Sequence, residues 1–424
     1  MSDQGNPDPT TMATDPTPST TGPSARRRSL FKANGVPRSP REARASRIAL
    51  DARERKRKRE QLIMGKRFRS HFEDYEESDS EAEHEATPTE IQEINRGLAG
   101  SDEQVAKALK LLSARLVSPS AALEKFILAG ECVPHLMRLI HSPNPEIQLQ
   151  ATWCLTNIAA GSEALCHKVL DAVPYLIQSL NPLNPDLADQ AGWCLGNIAA
   201  EGPAFREHLV ANGVVTPLVD LLTTSPNSQL TQTACFALSN LARNPGAPMQ
   251  QLFDAGICGR LVKHLSQHES QDVASEVFWV LTYLTAGELQ YAHRLVEQDV
   301  IPHLVAQLDK FADQGSAAIP LIRTLGNLSA IDDATTSRLL DHPEIIQQLL
   351  YWVAKSPART VKKESLWVLS NITAGTKAHV NKVLKQDGAA VLTEVMSHDS
   401  YDLRREVSLG KREKLTGKMI RWVL

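Results

Sequence analysis

Past about residue 95 the chain is built from two kinds of apolar segment that take turns. The first kind reads ATWCLTNIAAGS at 151–162, AGWCLGNIAAEG at 191–202, ACFALSNLARNP at 234–245, VFWVLTYLTAGE at 277–288, LIRTLGNLSAID at 321–332 and SLWVLSNITAGT at 365–376. Each sets a bulky residue four positions ahead of a polar one, which is Asn157, Asn197, Asn240, Tyr283, Asn327 and Asn371 in turn. The intervals between these positions are 40, 43, 43, 44 and 44 residues, and a period of that length marks a helical solenoid. The second kind lies between them: AGECVPHLMRLI, DAVPYLIQSL, NGVVTPLVDLL, AGICGRLVKHL, QDVIPHLVAQL and DGAAVLTEVM. Each opens on Gly, Asp or another small residue, often meets a Pro at a helix start, and runs on as an apolar helix.

One unit is therefore a short helix, a second helix opening near Pro, and a third carrying the bulky-x-x-x-Asn pattern. That order predicts an all-α fold, an armadillo-repeat right-handed superhelical solenoid over 95–400. Each unit buries its apolar face only against its neighbours. Residues 401–424 read as an incomplete or divergent C-terminal repeat.

The N-terminal part has a different composition. Residues 1–25 hold five Pro and no aromatic residue, too little apolar surface to offset chain entropy, so a disordered tail is expected. From Arg41 to Arg69 there are twelve Lys and Arg against four Asp and Glu, and the stretch 43–67 reads as a marginal helix that orders on a partner. Residues 26–70 are thus a basic segment and 71–94 an acidic linker; the net charge of −3 hides this polarity. No apolar run is long enough for a membrane span, and residues 1–30 lack a signal-peptide core. The six Cys form no CxxC pair, which excludes a zinc module and points to a reducing compartment. No metal and no cofactor are expected.

The ladder positions carry the chemistry. Residues at i and i+4 share one helix face, so Trp and Asn lie one turn apart. Asn is a mediocre helix former and its unpaired burial is costly, so its regular return needs a reason. A row of Asn amides can donate to and accept from the main chain of an extended peptide. Neighbouring indoles make slots for the stems of Lys and Arg, with cation–π contact worth about 0.5–2 kcal/mol. Asp189 and Glu201 flank Trp193 and Asn197, and Glu276 precedes Trp279, placing acids where the cationic heads would end.

Other readings compete. Trp and Asn could serve repeat packing alone. The array could be an armadillo scaffold for extended peptides without a transport function. The residues at Arg41–Arg69 could bind nucleic acid, but the acidic linker and the lack of interleaved aromatics disfavour this. No GxGxxG, P-loop, GxSxG or HExxH is present, so an enzyme is not expected. His135, His264 and His303 fall on second helices and read as surface or packed residues. Cys154 and Cys194 read as small buried apolar groups.

These segments resemble the importin-alpha (karyopherin-alpha) family over about 26–400. ATWCLTNIAAGS is similar to its second repeat, and the following segments match the third to seventh in order. Two irregularities are shared: Tyr283 in place of Asn and Arg323 in place of Trp. The resemblance implies a nuclear import adaptor moving between cytoplasm and nucleus. Its major site for nuclear localisation signals would comprise Trp153, Asn157, Gly161, Ser162, Asp189, Gln190, Trp193, Asn197, Glu201, Phe236 and Asn240. Its minor site would comprise Glu276, Trp279, Arg323, Asn327, Asp333, Trp367 and Asn371. The basic segment resembles the importin-beta-binding and autoinhibitory domain, through Arg26, Arg27, Arg28, Arg53, Arg55, Lys56, Arg57, Lys58, Arg59, Lys66 and Arg67. Partners implied are basic signal peptides of cargo, importin-beta and an export receptor, with no direct nucleic acid. Three departures stand out. Phe236 replaces Trp and makes one slot wall shallower. The second basic cluster is interrupted as Lys66-Arg67-Phe68-Arg69. After the seventh repeat the chain runs into GKREKLTGKMIRWVL, where the family continues for two or three repeats. Closer relatives are expected among the importin-alpha-like proteins named for transmembrane and coiled-coil domains.

Overall fold

The computed structural model describes residues 86–116, 120–224, 228–244, 246–266, 270–401, 403–404 and 406–407. The tail 1–25, the basic segment 26–70 with its positions from Arg26 to Arg67, and residues 71–85 lie outside the described residues, as do 408–424.

The array opens with α1 (Pro88–Leu98), which begins inside the stretch read as acidic linker. A capping box overrides the acidic composition there. Thr87 Oγ1 accepts from Glu90 N at 3.2 Å, and Glu90 Oε2 accepts from Thr87 N at 2.8 Å. Ile94 and Leu98 then bury themselves completely, one turn apart. Arg115 on α2 (Asp102–Leu116) reaches Glu90 at 2.8 Å. The Thr87 N–H and the Arg115 guanidinium hold the Glu90 carboxyl down to about 2.

Three-helix units follow. The first is α3 (Ala121–Ala129), α4 (Cys132–Leu139) and α5 (Pro145–Ala159). The second is α6 (Glu163–His167), α7 (Val173–Gln178) and α8 (Pro185–Glu201). The third is α9 (Pro203–Ala211), α10 (Val215–Thr224) and α11 (Ser228–Leu241), and the fourth α12 (Met249–Asp254), α13 (Ile257–Ser266) and α14 (Gln271–Ala286). The fifth is α15 (Leu289–Glu297), α16 (Val300–Val305) and α17 (Ile319–Leu328), and the sixth α18 (Asp333–Leu340), α19 (Pro343–Lys355) and α20 (Arg359–Thr373). Then come α21 (Lys377–Leu384) and α22 (Gly388–His398). No strand occurs among the described residues. The third helices stack in chain order, α2 on α5, α5 on α8, and so on to α20. One apolar cluster runs through all the units, as a solenoid requires.

Polar side chains tie each unit to the one before. The last carbonyls of a helix lack intrahelical partners. Here the next repeat supplies them. Arg138 donates to Leu98 O at 2.8 Å, Gln307 to Leu265 O at 2.9 Å and Lys382 to Leu340 O at 2.8 Å, while Arg260 reaches Val219 O, inside α10, at 2.9 Å. Trp352 Nε1 donates to Ala312 O at 2.8 Å. His264 is buried and joins this set through Nε2, which donates to Leu222 O. His135 and His303 are half-buried. All six Cys are buried and unpaired in disulfides; burial pushes the Cys132 thiol up to about 12 and Cys258 to about 11, with Cys154 and Cys194 raised as well.

Candidate functional site

Each third helix presents the same register. The residues two before and one after the ladder position are buried in the core, from Leu155 and Ile158 in α5 to Leu369 and Ile372 in α20. At about 100° per residue, this turns the ladder position and the residue four before it to the other side. Trp153, Asn157, Trp193, Trp279, Tyr283, Arg323 and Asn327 are half-buried there, whereas Asn197, Phe236, Asn240, Trp367 and Asn371 are buried.

The Asn amides have a task that the sequence did not reveal. Asn197 Nδ2 donates to Thr156 O at 3.0 Å, Asn240 to Gly196 O at 3.1 Å, Asn327 to Thr282 O at 3.0 Å and Asn371 to Gly326 O at 3.1 Å. Each acceptor sits one residue before the ladder position of the preceding third helix. The packing reading is therefore partly right, because these amides stitch neighbouring repeats together. An amide nitrogen carries two hydrogens, so one remains at Asn197, Asn240 and Asn371. Asn327 uses both, since it also donates to Thr285 Oγ1 at 3.1 Å. Asn157 Nδ2 and Asn197 Oδ1 are buried without a hydrogen-bond partner.

The aromatic rungs are not evenly spaced. Trp193 and Phe236 stack with ring centroids 4.6 Å apart and planes at 18°. This differs from the slot expected between them, and the cause is glycine. The Phe236 ring sits against Gly196, where any Cβ would collide with its Cδ1 and Cε1. Trp367 covers Gly326 in the same manner. Farther along, Trp279 and Tyr283 are 6.4 Å apart on α14, and two arginines stand over them. The Arg323 guanidinium lies 5.7 Å from the Trp279 ring and Arg243 lies 6.0 Å from Tyr283. Arg323 also pairs with Glu364 at 2.6 Å, and Arg243 donates to Asn240 Oδ1 at 3.3 Å.

The remaining predicted residues divide between ladder and loop. Asp189 is half-buried and accepts from Thr233 Oγ1 at 2.5 Å, so a neighbouring repeat already engages this acid. Gln190 and Glu276 are buried, and Glu201 is half-buried at the end of α8. Gly161 and Ser162 form the turn after α5, where Ser162 donates to Glu124 at 2.8 Å. Asp333 is exposed, 4.0 Å from His379; the residue that caps α18 is its neighbour Asp332, which accepts from Thr335 N at 2.6 Å. Sequence reasoning missed Arg243 and Glu364. Both stand three residues from a ladder residue, Asn240 and Trp367, and that i, i+3 spacing was the available signal.

Armadillo/beta-catenin-like repeats match residues 127–160 and 202–243. The chain is 35% identical to importin subunit alpha-2 of Oryza sativa subsp. japonica, over 93% of this chain and 78% of that protein. It is 31% identical to importin subunit alpha-1a of the same plant, over 65% of this chain and 51% of the relative. Importin subunit alpha-9 of Arabidopsis thaliana is 29% identical, over 68% and 57% respectively. The chain thus spans about half the length of these last two relatives. Among solved structures, an engineered protein superposes with a TM-score of 0.68 at 25% identity, covering 76% of this chain and 77% of that one. A designed armadillo repeat protein, solved in complex with the peptide (KR)4, superposes with a TM-score of 0.52 at 22% identity, covering 56% of this chain and 97% of that one. That second likeness shows the fold.

Proposed function

The chain belongs to the importin-alpha family, whose members are non-enzymatic transport adaptors, and from that premise we propose that it carries basic nuclear localisation signals on its ladder and links them to importin-beta. The observation that carries this reading is the row itself. Five Asn recur at a fixed period on stacked third helices, each one turn from an aromatic residue or Arg323. The rings of Trp153 and Trp193, both half-buried, suit Lys and Arg stems, and an Asn stands one turn from each. Glu201, Asp189, Gln190, Gly161 and Ser162 complete the major site. The later rungs, with Asn327, Trp367, Asn371, Glu276, Trp279, Arg323 and Asp333, form the minor site. Importin-beta would bind the basic segment 26–70, and the protein would move between cytoplasm and nucleus. Among the described residues no helix is long and apolar enough to cross a membrane.

The test is fluorescence anisotropy with a labelled Lys-rich signal peptide. Trp193→Ala should weaken binding about tenfold or more, and high salt should weaken the wild type, because the contacts are charge-assisted. Unchanged affinity in Trp193→Ala and Asn197→Ala would refute the site. A pull-down with importin-beta, with and without residues 26–70, tests the second half.

A further inference from the structure

The contact between α8 and α11 departs from an open ladder along its whole length. At one end Thr233 Oγ1 donates to Asp189 Oδ1 at 2.5 Å. In the middle the Trp193 and Phe236 rings stack at 4.6 Å. One turn on, Asn240 donates to Gly196 O at 3.1 Å. Two glycines one turn apart on α8 permit this closeness. A Cβ on Gly192 would stand 2.8 Å from Thr233 Cγ2, and one on Gly196 would strike Phe236. The two helices are zipped by a hydrogen bond, a ring stack and a second hydrogen bond in register.

A methylene stem between two rings needs about 3.5–4 Å of clearance on each side, so the centroids must stand roughly 7–8 Å apart. The observed 4.6 Å leaves no such room. Side chains of an extended peptide face the ladder at every second residue. A closed slot therefore maps to one peptide position. We infer that the Trp193–Phe236 stack fills the second slot of the ladder from within, so that the chain selects basic peptides whose residue over that stack is small or uncharged. This inference rests on the groove reading above and refines it. Phe236 acts as the specificity-determining residue, with Gly192 and Thr233 holding its helix close.

The experiment is an alanine scan of a fluorescein-labelled peptide with five consecutive Lys flanked by Ala, followed by anisotropy against the full chain. In the wild type the Lys over the stack should tolerate Ala, with Kd altered by less than about twofold, as should the Lys that point away from the ladder, whereas at least one other inward-facing Lys should cost about tenfold; the position over the stack is the tolerant one that changes in the variants. In Phe236→Ala the slot is open, and the tolerated position should become sensitive, by about fivefold. Gly192→Ala pushes Thr233 away and should shift the same position in the same direction; thermal melts establish that both variants are folded. Uniform sensitivity across the wild-type scan, with binding intact, overturns the closed slot alone. An unchanged tolerant position in both folded variants overturns the role of the stack. Failure of the wild type to bind any peptide of the set overturns the groove reading together with this one.

Discussion

Replacing Asn197 or Asn240 by Ala deletes the same atoms from equivalent rungs, yet the surroundings make the two changes unequal. Both ends of the Asn240 amide are satisfied: Nδ2 donates to Gly196 O, and Oδ1 accepts from Arg243. A neutral bond contributes about 1 kcal/mol and one to a charged donor about 1.5–3 kcal/mol. The Arg243 bond is long at 3.3 Å, which puts it at the lower end. Asn240→Ala should therefore cost about 2–3 kcal/mol. Asn197 donates to Thr156 O at 3.0 Å, but its Oδ1 is buried with no partner. Its removal forfeits about 1 kcal/mol and relieves a desolvated acceptor that costs about 1–3 kcal/mol. Asn197→Ala should then lie between neutral and about 2 kcal/mol stabilising. Repeat arrays open in parts, so the suitable readout is native-state hydrogen exchange of α8 and α11, supported by urea titration. Equal losses, or a larger loss at Asn197, would refute the reasoning. A stable Asn197→Ala that binds peptide poorly would mark the position as one where function opposes stability.

Three further outcomes are expected. Arg323 and Glu364 are both largely buried, at 12% and 14% side-chain exposure. Glu364→Leu should lower the melting temperature more than the double change Arg323→Met/Glu364→Leu, because a lone buried charge is costlier than none; additive losses would contradict this. The Glu90 carboxyl sits at about 2, below its ordinary value of 4.5. Its stabilisation of α1 is full above the unfolded value and fades as pH falls through the range toward 2, so Glu90→Gln should flatten the acid dependence of α1 hydrogen exchange. Finally, all six Cys are buried and the shifted thiols are raised, so maleimide labelling of the native chain should be silent and should appear on denaturation.

The repeat architecture was legible because one short pattern fixes much of it. The spacing of Trp193 and Asn197 defines a helix face, and its recurrence defines the stack. The start of the array was hidden because composition and capping disagree: ten acids between Glu73 and Glu93 spoke for a linker, whereas Thr87, Pro88 and Glu90 together start a helix. The state of the ladder was hidden for another reason. A pattern within one helix says which side a residue faces, not how near the next helix comes. Whether Trp193 and Phe236 frame a slot or touch depends on Gly196 and Phe236, which belong to different repeats. Asp189 likewise looked like a rim acid because Thr233 lies 44 residues away in the chain.

The back-reaching bonds give the array a direction of growth. Asn197, Asn240, Asn327 and Asn371 all address the repeat made before them, as do Arg138, Arg260, Gln307 and Lys382. On the ribosome every such donor emerges after its acceptor has had time to fold. Thr156, Gln271 and Arg323 reach the other way, to Gln190 O, Lys310 O and Glu364, but adding or removing units at the C-terminal side leaves the earlier bonds of the back-reaching set intact. The N-terminal side has no such freedom. Asn157 lacks this bond: its amide nitrogen is buried without an acceptor, although α2 packs against α5. Cutting the array before α8 would remove Thr156 O and leave the Asn197 amide without its acceptor, inside the proposed peptide site.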